Sequence, residues 1–202
     1  KDAFMSRTLL FVCGIALICG GCGSETSPSS VPVPAVEAEG ASAGEGFAIN
    51  SENTKVLFVG TKKSGDSKTG GFNNVSGSIG VDGDAINSVN VVVDVDSLFS
   101  EAEKLTGHLK NEDFFSVKEF PEMKFASTAI DGQTDVTITG DLTMHGQTAQ
   151  ISFPATVAVV DGNVKLDAKF KVDRTKFGMN YTGQPDDPIN AEVDIEISVG
   201  TP

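Results

Sequence analysis

His108, His145 and Arg174 are the residues of this chain best suited to move a proton, hold a metal or grip an anion. A Ser–His–acid triad needs three groups together in space, and no Gly-X-Ser-X-Gly elbow or other local signature accompanies either histidine. A metal site would need His108, His145, Asp94 or Asp141 to converge, with no close His-X-His or His-X-X-X-His pair to start from. Asp82-Gly83-Asp84 and Gln184-Pro185-Asp186-Asp187-Pro188 read as turns, because the further ligands of a calcium loop do not follow. Gly70-Gly71 is followed by neither Lys-Ser/Thr nor a helix, so it is no phosphate loop. The reading these residues favour is recognition. Arg174 could grip a pyrophosphate or carbonyl through two parallel hydrogen bonds, or pair with Asp94 or Asp96 and fix a barrel end. His108 and His145 read either as contacts to a ligand head group or as structural residues, His145 near a turn and His108 seating a helix. No catalytic residue, metal or cofactor is assigned.

The apolar residues carry a second kind of chemistry. The chain has 13 Phe, one Tyr and no Trp, so its aromatic surface is nearly all unable to hydrogen-bond and suits a dry interior. Phe58, Phe72, Phe125, Leu142, Met144, Phe153, Phe170 and Phe177 fall on the apolar side of alternating stretches. Each reads as plain core or as the wall of a pocket. Phe114 and Phe115 follow a helical stretch and read as a hydrophobic lid or as a plug that gates a mouth. A formal charge of −13, with basic runs no longer than pairs such as Lys62-Lys63, argues against a nucleic-acid partner.

The elements that must position these residues have a period of two. Val164, Leu166, Ala168, Phe170 and Val172 alternate with polar residues, as do Val193, Ile195, Ile197 and Val199, and Val136, Ile138, Gly140, Leu142 and Met144 share one side of a third stretch. Further strands are expected at 54–62, 70–81, 86–96, 122–130 and 147–160, separated by Asp-Gly turns. Eight long strands joined mostly by hairpins predict an all-β, antiparallel eight-stranded barrel, since closure removes exposed edges. Such a barrel has an interior just wide enough for packed side chains or one small ligand. Ser100 as N-cap, Glu103 three residues on, and Leu105, His108 and Leu109 at helical spacing predict a short helix near one mouth.

The N-terminus reads as a processing segment. Arg7 precedes an apolar stretch from Leu9 to Ile18, shorter than the ~20 residues of a spanning helix. It ends in Cys19-Gly20-Gly21-Cys22-Gly23-Ser24, which resembles a bacterial lipobox with Cys22 as the lipidated residue and Cys19 where Leu is usual. Residues 1–21 are thus expected to be a lipoprotein signal peptide, 22–46 a Ser/Pro/Ala/Glu/Gly-rich tether, and 47–202 the folded domain. With Cys13 and Cys19 removed, that domain has no disulfide to form. Gly23 in place of Asp after the lipidated cysteine leans towards the outer membrane, in a periplasm-facing lipoprotein of the cell envelope.

Three segments, Gly107 to Phe115, Gly140-Asp141-Leu142-Thr143-Met144-His145-Gly146 and Asp173-Arg174-Thr175-Lys176-Phe177-Gly178-Met179, together with Gly71-Phe72, Gly77, Asp94, Ser97 and Phe120-Pro121, resemble the YceI family in order and spacing. The resemblance covers about Phe47 to Val199 and departs at the start, where Phe47-Ala48-Ile49-Asn50 stands for a usual Tyr-X-Ile-Asp. It implies a lipocalin-like barrel that holds a polyisoprenoid or other long-chain lipid, for which His108, His145 and Arg174 are by their chemistry the head-group candidates. Related barrels are often dimeric, so a homodimer is a possible state. Two other readings stay open: a structural or protein-interaction barrel filled by its own side chains, and a hydrolase of ester lipids.

Overall fold

The computed structural model describes residues 46–200. The expected signal peptide, Cys22 and the tether up to residue 45 lie outside the described residues. The order is β1 (Gly46–Ile49), β2 (Thr54–Lys62), β3 (Ser67–Phe72), β4 (Val75–Asp82), β5 (Ala85–Asp94), a 3-10 turn (Val95–Ser97), β6 (Leu98–Ser100), α1 (Glu103–Leu109), β7 (Glu122–Gly132), β8 (Asp135–Met144), β9 (Gln147–Val160), β10 (Asn163–Asp173), a second 3-10 turn (Arg174–Phe177), β11 (Gly183–Gln184) and β12 (Asp187–Val199).

All pairings are antiparallel, and eleven strands form one path, β1-β4-β5-β7-β8-β9-β10-β12-β2-β3-β6, with β11 attached to β12. The fold is all-β, a curled antiparallel half-barrel with one short helix. Among the described residues the strands number twelve, where eight were expected. β1, β3, β6 and β11 have only 4, 6, 3 and 2 residues, too short for alternation to register in the sequence. The expected strand 70–81 is two. It breaks at Asn73-Asn74, where Asn73 N–H donates to the Ser97 carbonyl (3.2 Å) and Asn74 N–H to Ser97 Oγ (2.9 Å). β3 then pairs with β2 and β4 with β5, so this corner carries the chain from one end of the hydrogen-bonded path towards the other. The path ends at β1 and β6 among the described residues and is not closed by a ladder. β2 and β4 meet at the seam, and Ser51, in the turn before β2, accepts from Val75 N–H (3.1 Å).

Alternation sorts the faces of the long strands. In β10 Val164, Leu166, Ala168 and Val172 are buried while Lys165, Asp167, Lys169 and Lys171 face water. β8 buries Val136, Ile138, Gly140 and Met144 on one face. In β7 the inward positions run Met123, Phe125 and Ser127, then jump to Ile130, because a register shift between Ser127 and Ala129 inserts one extra residue.

The helix differs from its expected start. Ala102 is the N-cap and offers no side-chain cap, whereas Ser100 belongs to β6. Ser100 N–H donates to Thr106 Oγ1 (2.9 Å), and its own hydroxyl donates to the Ala102 carbonyl (2.9 Å), so it ties strand to helix from outside the first turn.

Candidate functional site

The inner face of the sheet encloses a cavity of about 380 Å³ with an almost wholly apolar wall. Nine of the ten expected pocket residues, Phe58, Phe72, Phe114, Phe115, Phe125, Leu142, Met144, Phe153 and Phe170, lie on it. They come together because the inward phase of β2, β3, β7, β8, β9 and β10 converges on one space. The rings form two runs. On one side Phe125 tilts against Phe153 (centroids 5.6 Å), which stacks on Phe170 (4.2 Å, 12°). On the other, Phe58 meets Phe72 (5.8 Å) and Phe115 stands edge-on to Phe72 (5.7 Å, 88°). Phe177 is not on the wall. It is fully buried in the second 3-10 turn.

Glycines make room for these rings, a feature missed in the sequence. A Cβ at Gly140 would lie 2.6 Å from the Phe125 ring, and one at Gly70 would collide with Phe58, its cross-strand partner. The signal lay in the phase of β8, where Gly140 occupies an inward position between Ile138 and Leu142. Aliphatic wall residues such as Val56, Ile138, Ile151, Leu166 and Ile195 were legible from alternation but were left unnamed among the site residues.

The polar candidates sit elsewhere or are already occupied. His108 Nε2 bonds Asp113 Oδ2 (3.1 Å), and its ring packs edge-on against Phe114 (5.3 Å) and Tyr181 (5.2 Å). His145 turns the β8–β9 hairpin with φ of 51° and lies 4.7 Å from the Phe120 ring. Its Nδ1 is 3.0 Å from the Phe177 carbonyl. A carbonyl only accepts, so Nδ1 carries the proton. Neither histidine is on the cavity wall.

Arg174 does reach the wall, and it is 5% exposed. Its Nε donates to the Asn190 carbonyl (3.2 Å), one terminal nitrogen to Ile189 (3.4 Å) and the other to Met179. Neither Asp94 nor Asp96 is its partner. Asp94 accepts from Asn74 (3.1 Å) and Asp96 from Lys110 (3.0 Å). Burial lowers the Arg174 pKa below its ordinary value, and Asp173 opposes this. The guanidinium therefore works as a clamp that satisfies carbonyls of two segments.

Two inward cations escaped the sequence reading. Lys62 is in phase with Phe58 and Gly60, and Lys68 stands opposite Gly60 across the β2–β3 pair; both line the cavity. Lys62 Nζ is 3.2 Å from Asp187 and Lys68 Nζ 2.5 Å from Glu101. Among the described residues no three His, Cys, Asp or Glu converge as metal ligands. The arrangement can exclude water from an apolar chain and present a polar rim beside α1.

Residues 47–201 match the family model of the YceI-like domain. A UPF0312 protein of Pseudomonas fluorescens (strain SBW25) is 32% identical over 143 residues, 64% of this chain and 71% of the relative. A UPF0312 protein of Pseudomonas putida (strain GB-1) is 41% identical over 70 residues, 34% of this chain and only 36% of the relative. Among solved structures, BcnA of Burkholderia cenocepacia superposes with a TM-score of 0.64 at 25% identity, over 72% of this chain and 94% of its own. A Saccharophagus degradans protein, described as a polyisoprenoid binding domain implicated in plant cell wall breakdown, superposes with a TM-score of 0.59 at 14% identity, over 76% of this chain and 97% of its own. At that identity the second likeness speaks for the fold alone. The match across the described domain shows that this chain belongs to the family of the YceI-like domain.

Proposed function

We propose that this protein binds a long-chain isoprenoid lipid, of the quinone or polyprenyl phosphate class, and sequesters or carries it at the periplasmic face of a membrane. The observation that carries this reading is the Phe-lined cavity with its nearly unbroken apolar wall. A barrel filled by its own side chains would leave no such space, so the cavity favours binding over the self-filled alternative. The polyisoprenoid binding described for the Saccharophagus degradans relative is in keeping with it.

Burial supplies the driving force. Each five-carbon isoprene unit is worth about 4 kcal/mol at ~0.8 kcal/mol per carbon taken out of water. Ordering a long tail and losing its free motion consume much of that sum. No covalent chemistry is required. The tail lies between the two phenylalanine runs, the head sits at the rim beside α1, and exchange proceeds by displacement of residues 100–115. Lipidation at Cys22 holds the domain at the membrane through the 22–46 tether, with the outer membrane favoured by Gly23. The acidic chain, at −13, gains no attraction from an anionic lipid surface, so the acyl anchor does the holding.

Native mass spectrometry of the purified full chain, followed by extraction and identification of what copurifies, tests the reading. A bound species with the mass of a quinone or polyprenyl lipid is expected. Leu142→Asp places a charge on the cavity wall, and retained lipid in that variant, with its fold intact by circular dichroism, would count against the proposal.

A further inference from the structure

Each cation at the rim of the cavity already has a partner. Four basic residues touch the wall: Lys62, Lys68, Lys124 and Arg174. Arg174 is used by three backbone carbonyls, and Lys124 pairs with Glu122 on the same strand (2.8 Å). The two inward lysines of the β2–β3 hairpin are each matched by a carboxylate from another element, Asp187 from the start of β12 and Glu101 from the segment after β6. Asp187 is fixed in place, since its Oδ1 accepts from Ser64 N–H (3.0 Å) and its Oδ2 from Ser64 Oγ (3.1 Å). Opposite Lys68 and two residues before Lys62 lies Gly60, where a Cβ would meet nothing within 4 Å, so the inner face is open at this point of the rim. A head group arriving there finds two paired ammonium groups, the two carboxylates that pair them and the field of a chain carrying −13.

Resting on the isoprenoid reading above, we propose that the site selects isoprenoids with an uncharged head, a quinone or an alcohol, over phosphorylated ones, and that Asp187 and Glu101 set this selectivity. A phosphate oxygen sharing the outer hydrogens of either ammonium would lie within a few ångströms of the paired carboxylate, and like charges in that arrangement repel. A quinone carbonyl or a hydroxyl needs no counter-ion and can share the outer hydrogens of Lys62 or Lys68 without breaking either pair. The mutual hydrogen bond of the second pair holds Lys68 above its ordinary pKa and Glu101 below its own.

Farnesol and farnesyl phosphate share one tail and differ in head charge, so calorimetric titration of the full chain with each isolates the head. Farnesol is expected to bind about tenfold more tightly at low salt, with the gap narrowing as salt screens the rim. Asp187→Asn combined with Glu101→Gln frees both lysines and should shrink the alcohol-to-phosphate ratio at least about fivefold or invert it. If the double variant does not fold, as judged by its melting curve, Glu101→Gln alone gives the same direction with a smaller change. Gly60→Leu should weaken uptake of farnesol by filling the opening. Equal or tighter binding of farnesyl phosphate by the unaltered chain, or a ratio unmoved in a folded variant, overturns the selectivity. Failure of both ligands to bind the unaltered chain overturns the isoprenoid reading itself, and the selectivity with it.

Discussion

Two irregular segments flank the long strands, α1 with the loop after it and the second 3-10 turn, and they are held in opposite ways. The turn at 174–177 is fastened from inside: Phe177 is fully buried, Arg174 donates to three carbonyls, and His145 donates to the Phe177 carbonyl. The α1 segment rests on the cavity through Leu109, Phe114 and Phe115, and some of its side-chain fastenings face water. They include the half-exposed His108–Asp113 contact and the Lys110–Asp96 pair. Buried hydrogen bonds to a charged group are costly to lose, whereas exposed pairs contribute little. The comparison sets a corner fastened by buried hydrogen bonds against a cover fastened by apolar contacts and exposed pairs, and the cavity touches both.

Breaking the corner should cost most. Phe177→Ala is expected to destabilise the fold by about 3–5 kcal/mol, read from urea unfolding, because it opens a cavity where the side chain has no exposure. Arg174→Met keeps the volume and strands three carbonyl acceptors, for a loss of about 3 kcal/mol in the same measurement. Asp173→Ala removes the cap of the 3-10 turn, where Oδ1 accepts from Thr175 N–H (3.0 Å) and Oγ1 (2.6 Å), and should cost about 1 kcal/mol. These bonds to Thr175, the side-chain one foremost, hold the Asp173 pKa below its ordinary value. Its contribution is therefore present above the ordinary carboxylate range and is lost as pH falls through the lowered folded value, below about pH 4. Melting temperature measured down through that range should fall less for Asp173→Ala than for the unaltered chain. On the cover the smallest effect is expected: His108→Ala should change stability by under about 1 kcal/mol while hydrogen exchange at the α1 amides accelerates. A stability loss at His108 as large as that at Arg174 would erase the distinction between the two segments.

Much of the fold was legible because alternation is a local property. The inward phase of β8 and β10 was readable residue by residue, and nine of ten proposed wall residues share one cavity. What was not legible depended on partners far along the chain. The break at Asn73-Asn74 is enforced by Ser97, more than twenty residues away, and no local run of residues shows it. Phe177 is of the same type as the wall phenylalanines, but it lies an odd number of residues from the inward positions of β10, and the turn that follows that strand directs it into packed core. His108, His145 and Arg174 have the chemistry of head-group contacts, and whether they are free for it was decided by Asp113, by the Phe177 carbonyl and by three carbonyls of β12 and its approach. Lys62 figured only in the basic pair Lys62-Lys63 and Lys68 not at all, although Lys62 keeps the inward phase of Phe58.

Period-two patterning, the turn residues and the Phe-rich composition were enough to determine an antiparallel all-β domain with a dry inner face, because the side of a strand on which a residue lies follows from its position alone. The number of short strands, the open ends of the sheet, the volume left inside and the pairing of every cation at the rim were decided by the tertiary structure. Each of these is a distance between residues remote in the chain, and such distances are set only when the sheet curls and its irregular segments pack against it.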